Sequence, residues 1–139
     1  MKNGSKILLV AAFVVPFFAV GIPYWPIPYS KVSLPDSLYG IGLIVVFLAA
    51  VACRYLAAVR FRSATLSAGA SVPGAVMARV IYETAIDPTS HNLWPFELVI
   101  AAGVGFSLSL MGSLVGGFLM PRIRSAQADK SPTRPRVSR

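Results

Sequence analysis

Charged residues are scarce in this sequence, and acidic residues are the scarcest of them. Only 13% of its 139 residues are charged, with five Asp and Glu against 13 Lys and Arg. About a quarter of the residues in a soluble domain are charged, whereas 55% of this chain is hydrophobic and its mean hydropathy is +0.68. So little polar surface cannot cover so apolar an interior in water. We therefore expect a membrane protein whose first partner is the lipid bilayer.

Cysteine and histidine each occur once, as Cys53 and His91. A lone cysteine cannot form an internal disulfide, and inside an apolar run its thiol is usually inert packing. One histidine and one cysteine in a chain supply neither a zinc site of His and Cys ligands nor a bis-histidine haem site. Phosphate-binding loops and the HExxH, GxSxG and CxxC motifs are also absent. We expect no cofactor and no enzymatic activity.

Four apolar runs of membrane-spanning length cover residues 7–22, 37–59, 63–85 and 96–120. They predict an all-α membrane protein, a four-transmembrane-helix bundle formed by residues 1–120. The third run is the least apolar and contains Pro73, so it can span only if its neighbours shield its polar face from lipid. Residues 121–139 are rich in Ser, Pro, Arg and Lys without periodicity, which predicts a disordered basic cytoplasmic tail.

The first run has a second interpretation, a cleavable signal peptide. Lys2 and Lys6 precede a short apolar stretch, and residues 19–21 have the small side chains of a cleavage site. However, the polar segment that should precede that site is missing, and an aromatic, proline-rich segment follows at once. We favour an uncleaved helix that ends at these prolines. Tyr24, Trp25 and Tyr29 are then expected at the membrane surface.

The positive charges lie at the ends of the apolar runs, and they define an orientation. One side carries eleven of them and the other only Lys31, whereas Arg79 lies within the third run; the eleven are Lys2, Lys6, Arg54, Arg60, Arg62, Arg122, Arg124, Lys130, Arg134, Arg136 and Arg139. The positive-inside rule then predicts that both termini are cytoplasmic, in the inner membrane of a bacterium. The same distribution argues against nucleic acid as a partner, because the formal net charge of +8 does not form a phosphate-binding face.

Small residues form a stripe along the fourth run. Gly105, Ser109, Ser113 and Gly117 follow one another at intervals of four, as do Ser67, Ser71 and Ala75 in the third run. Such faces let helix backbones approach closely in lipid. We expect the third and fourth helices to pack through these two faces. The alternative is that the stripe mediates homo-oligomerisation or docking on another membrane protein.

Five polar residues are expected to gather near the outer face of these two helices: Arg79, Glu83, Asp87, His91 and Glu97. An arginine inside a span marks a candidate functional site, and Glu83 is its expected partner one helical turn away. Three roles remain open. The cluster can be a structural ion pair, a proton-coupled or ligand-binding site, or, with His91 and a carboxylate, an incomplete metal site.

The sequence thus yields two functional hypotheses. In the first, the chain is a non-enzymatic structural or accessory membrane component. In the second, it is a small transporter or proton-coupled carrier that uses the charged cluster of the outer leaflet.

Overall fold

A computed structural model of the chain describes residues 3–34, 36–56, 59–87 and 93–129. Its regular structure is helical, and no strand occurs among these residues. The helices are α1 (Asn3–Tyr24), α2 (Ile41–Leu56), α3 (Phe61–Gly69), α4 (Ser71–Ile86) and α5 (Trp94–Asp129), with short 3-10 helices at Tyr29–Lys31 and Asp36–Leu38. Three segments are long and apolar enough to cross a membrane: Asn3–Tyr24, Phe61–Ile86 and Trp94–Leu119.

The second predicted span is shorter than expected. We predicted a helix over 37–59, but α2 has 16 residues, and Asp36–Leu38 before it forms a 3-10 helix. By helix rise α2 is about 24 Å long, against about 30 Å for the hydrocarbon core of a bilayer.

Helices α1 and α5 are longer than expected. Helix α5 continues to Asp129 and includes the first residues of the segment that we predicted as a disordered tail. Residues 130–139 lie outside the described residues.

The third predicted span corresponds to Phe61–Ile86 and consists of two helices that meet at Ala70. Pro73 has no N–H to donate to the carbonyl of Gly69, so one bond of the helical ladder is missing there. Hydrogen bonding resumes at once, since Gly74 N–H donates to Ala70 O at 3.0 Å. Ala70 itself keeps a right-handed helical conformation (φ −69°, ψ −14°). The break therefore interrupts the ladder without ending the span.

Helices α3 and α4 occupy the centre of the bundle. They contact α1 and α5, and α2 packs against α1, α3 and α5. In the apolar window of the third span 56% of the residues are buried, against 28% in α1 and in α5. The weakly apolar third run is thus shielded by its neighbours, as expected. The outer faces of the other helices carry large exposed apolar side chains, which suits contact with lipid.

Candidate functional site

Arg79 lies on α4 near the end of the bundle where α1 ends, and only 3% of its surface is exposed. Its Nε–H donates to Glu83 Oε1 at 2.8 Å, one turn along the same helix. Its Nη1–H donates to Tyr24 O at 3.0 Å, and its Nη2–H donates to Ile27 O. Each of the three guanidinium nitrogens therefore has an acceptor within the protein. This is how a buried charge avoids the cost of losing its hydration.

The two carbonyls come from the end of α1 and the segment that follows it. The last carbonyls of a helix have no partner within the helix, and they carry the negative end of its dipole. Pro26 and Pro28 lack N–H groups, so this segment is rich in acceptors and poor in donors. Arg79 donates a hydrogen bond to each of the two carbonyls, and its positive charge complements the negative end of the α1 dipole. Its Cζ also lies 4.7 Å from the ring centroid of Tyr24, within the range of a cation–π contact.

Trp25 makes a second link between the same two segments. Its indole Nε1–H donates to Ala75 O on α4 at 3.0 Å. Its ring covers the backbone of Gly21, where an added Cβ would collide with the indole, and packs edge-on against Phe17 and Phe18. Tyr24 and Trp25 were expected at the membrane surface. Instead Tyr24 is 1% exposed and Trp25 is half-buried, because both pack against α4, where Arg79 contacts the ring of Tyr24 and Ala75 O accepts from the indole of Trp25.

The predicted polar cluster is brought together only in part. Arg79 and Glu83 form the expected ion pair. Glu97, in the first turn of α5, lines a groove together with Val32 and Leu34 of the segment that follows α1, which places it at this end of the bundle. Asp87 ends α4, and its N–H donates to Glu83 O at 2.8 Å. His91 lies outside the described residues.

A groove of about 360 Å³ adjoins the ion pair. It is lined by Trp25, Ala78, Arg79, Tyr82 and Glu83, so aromatic surface lies beside charged groups. The side chain of Glu83 is 24% exposed, whereas that of Arg79 is 2% exposed. Of the two charges, the carboxylate is therefore the one that is accessible to solvent or to a ligand. Within the described residues, no group of three His, Cys, Asp or Glu side chains could hold a metal ion.

The small-residue stripe of α5 packs inside the chain. A Cβ added at Gly105 would lie 2.6 Å from Gly69 O, and Ser109 Oγ donates to Thr65 O at 2.8 Å. Ser113 Oγ accepts a hydrogen bond from Thr65 Oγ1 at 2.9 Å. Gly117 lies against the guanidinium of Arg54 on α2. These contacts join α5 to α3 and α2. The stripe therefore packs against helices of its own chain, which is the first of the two roles considered for it.

The partner face on the third span is different from the one expected. We predicted that Ser67, Ser71 and Ala75 face α5, but Ser67 Oγ donates to Leu9 O, so at Ser67 this face lies against α1. Thr65, Gly69 and Val72 are among the residues that contact α5. Both faces carry small side chains, because helices pack against the central span on two sides. Spacing alone could not distinguish them.

Sequence reasoning missed the acceptors of Arg79. Main-chain carbonyls leave no motif, but a signal existed: a buried arginine needs several acceptors, and the proline-rich segment at the same end of the bundle supplies them.

Comparisons with protein families, with curated proteins and with solved structures find no match to this chain. Function is therefore inferred from the geometry of the chain alone.

Proposed function

We propose that the chain is a four-span protein of a bacterial inner membrane with both termini in the cytoplasm. The short helix α2 counts as the fourth span for two reasons. It packs along α1 and α5, and Ile41, Ile44 and Leu48 on its outer side are exposed and apolar, as a lipid-facing surface requires. The eleven-to-one distribution of positive charge supports the orientation.

Within this topology we infer a non-enzymatic structural or accessory role. The observation that carries this inference is that each of the three guanidinium nitrogens of Arg79 donates a hydrogen bond within the protein. An arginine that binds a substrate needs donors that face the substrate. Here the donors face the end of α1 and Glu83, so the charge holds two segments of the bundle together.

A specific observation favours a second candidate, a small carrier. The groove of about 360 Å³ gives access to Glu83, and Trp25 and Tyr82 supply aromatic walls. A carboxylate in such a groove can exchange a proton or attract a cation. Because Arg79 neutralises Glu83, this candidate requires the ion pair to open during each cycle.

One experiment separates the two candidates. Wild type and Glu83→Gln are reconstituted into vesicles, proton flux is followed with an enclosed pH dye under an imposed gradient, and unfolding is measured on the same samples. The structural role predicts a flux equal to that of protein-free vesicles for both proteins and a modest loss of stability in the variant. A flux present in wild type and lost in a stably folded Glu83→Gln would establish the carrier instead.

The accessory role also requires a partner, which can be a second copy of the chain or another membrane protein. The small residues of α5 that contact α2 and α3 are already in use, so a partner must bind the outer, apolar faces. Two differently tagged copies expressed together report on self-association through co-purification. Purification from native membranes followed by mass spectrometry then reports on other partners, and recovery of neither kind would argue against this role.

A further inference from the structure

Arg54, at the end of the bundle opposite to Arg79, lies in the last turn of α2. Its Nη1–H donates to Val59 O at 2.7 Å, and its Cζ lies 5.9 Å from the ring centroid of Phe61. Its Nε is buried and has no acceptor among the described residues. This guanidinium therefore retains hydrogen-bonding capacity at a nitrogen without an acceptor, whereas each guanidinium nitrogen of Arg79 has one.

A cavity of about 340 Å³ lies beside this guanidinium, between α2, α3 and α5. It is lined by Arg54, Phe61, Ser113, Leu114, Gly117 and Phe118. The missing side chain of Gly117 makes room for the arginine, since a Cβ there would lie 3.0 Å from Nη2. Leu114 and Phe118 are 48% and 76% exposed on the outer face of α5, so the cavity opens towards lipid. It thus joins a cationic group to an apolar rim.

The charge around the cavity has one sign. Arg60 and Arg62 are exposed nearby at the start of α3, and Lys6 lies in the first turn of α1 at the same end of the bundle, where Cys53 of α2 contacts Leu8 O. None of the cavity-lining residues is acidic. Of the five acidic residues, Asp36, Glu83, Asp87 and Glu97 belong to the opposite end, and Asp129 is the fifth. An anion that approaches from the membrane surface is therefore attracted to this end.

We propose that this cavity binds the phosphate of an anionic membrane phospholipid. Arg54 donates hydrogen bonds to the phosphate oxygens, for which a planar guanidinium is well suited. The acyl chains lie along Leu114 and Phe118. Basic pockets between membrane helices are known to hold lipid headgroups in this way. A free phosphate ion would gain the contact with Arg54 but not the apolar contacts, so the combination favours a lipid.

Native mass spectrometry of the full-length protein in detergent tests the proposal. Phosphatidylglycerol and phosphatidylcholine with identical acyl chains are added in equal amounts, and the lipid retained is compared between proteins. We expect wild type to prefer phosphatidylglycerol, and Arg54→Gln to retain it about tenfold less, since a hydrogen bond to a charged group contributes about 1.5 kcal/mol or more. Arg62→Gln is the matched control, because it removes a neighbouring charge that does not line the cavity, and it should retain the preference.

Two further arms keep the proposal falsifiable. Leu114→Trp narrows the cavity but leaves Arg54 and its bond to Val59 intact, so it should lose the preference even if Arg54→Gln misfolds. Added inorganic phosphate should not displace the lipid at equal concentration. The proposal is overturned if Leu114→Trp retains phosphatidylglycerol like wild type, if Arg62→Gln loses as much as Arg54→Gln, or if inorganic phosphate competes as well as the lipid.

Discussion

The Nη1–H of Arg79 donates a hydrogen bond to the carbonyl oxygen of Tyr24, the last residue of α1, and the distance from Nη1 to that oxygen is 3.0 Å. The two residues are 55 positions apart in the sequence. This bond and the one to Ile27 O join the end of α1 and the segment after it to the central helix α4. An intramembrane arginine thus acts here as the cap of another helix, and its ion pair with Glu83 neutralises the charge that the cap introduces.

Trp25→Phe tests the second link between these segments. Phenylalanine keeps an aromatic ring over Gly21 but cannot donate to Ala75 O. We expect the free energy of unfolding to fall by about 1 kcal/mol, the typical net contribution of one hydrogen bond. Unfolding by a denaturing detergent, followed by circular dichroism, measures the change. Trp94→Phe, at a 43% exposed position, is the matched control and should be close to neutral; an equal loss in both variants would contradict the link.

Two glycines of α5 form a matched pair for the packing of that helix. A Cβ at Gly105 would lie 2.6 Å from Gly69 O and 2.9 Å from Val72 Cβ, whereas a Cβ at Gly103 meets no atom within 4 Å. Gly105→Ala should therefore destabilise the fold by about 1–3 kcal/mol, as overpacking does. Gly103→Ala should leave stability unchanged or slightly raised, since alanine favours helix.

The same pair tells internal packing apart from self-association. If the stripe packs within the chain, Gly105→Ala lowers the stability of the protein at any concentration and leaves its oligomer size in detergent unchanged. Size-exclusion chromatography with light scattering makes the comparison. A variant that is as stable as wild type but changes its oligomer size would assign the stripe to an interface between chains.

The contacts of α1 predict that the first helix is retained in the mature protein. Tyr24 O and Ile27 O are acceptors for Arg79, and Leu9 O is an acceptor for Ser67. Removal of residues 1–21 would remove Leu9 and the helix that positions the other two. The intact mass of protein purified from membranes should include the first helix. A mass that begins after Gly21 would favour the signal-peptide interpretation.

The orientation is tested by reporter fusions. Alkaline phosphatase is active only outside the cytoplasm, and green fluorescent protein is fluorescent only inside. Fusion after Arg139 should give fluorescence without phosphatase activity, and fusion after Asp87 should give the reverse. A phosphatase-active fusion after Arg139 would contradict an even number of spans with both ends in the cytoplasm.

Much of the fold follows from the sequence because apolar runs and helix length are local properties. The helical class and the position of the third span inside its neighbours were predicted from composition and from Arg79 and Pro73. The length of α2 was not predicted, because an apolar run does not reveal where a 3-10 helix replaces α-helix, as it does at Asp36–Leu38. The break at Ala70 is a consequence of Pro73 that spacing arguments overlooked.

Less of the candidate site could be predicted. The pair of Arg79 and Glu83 follows from a spacing of four on one helix, so sequence suffices for it. The acceptors at Tyr24 and Ile27 are main-chain atoms of a distant segment, and no side-chain pattern encodes them. The sequence also does not reveal that Arg54 has a buried Nε without an acceptor, because there Arg54 is one of several positive charges at the ends of the apolar runs.

Arg79 holds α1 and its loop to α4 through its hydrogen bonds to Tyr24 O and Ile27 O. The free energy of unfolding of Arg79→Gln and Glu83→Gln, measured in the same lipid–detergent mixture, tests this role. Arg79→Gln should lose about 3 kcal/mol, because one change removes a hydrogen bond from each of two carbonyls and leaves Glu83 without its counterion. Glu83→Gln should lose about 2 kcal/mol, since glutamine can still accept from Nε but leaves the buried guanidinium of Arg79 without its counterion. If Arg79→Gln unfolds at the same detergent concentration as wild type, the arginine does not hold α1 and its loop to α4, which would contradict the proposed structural role.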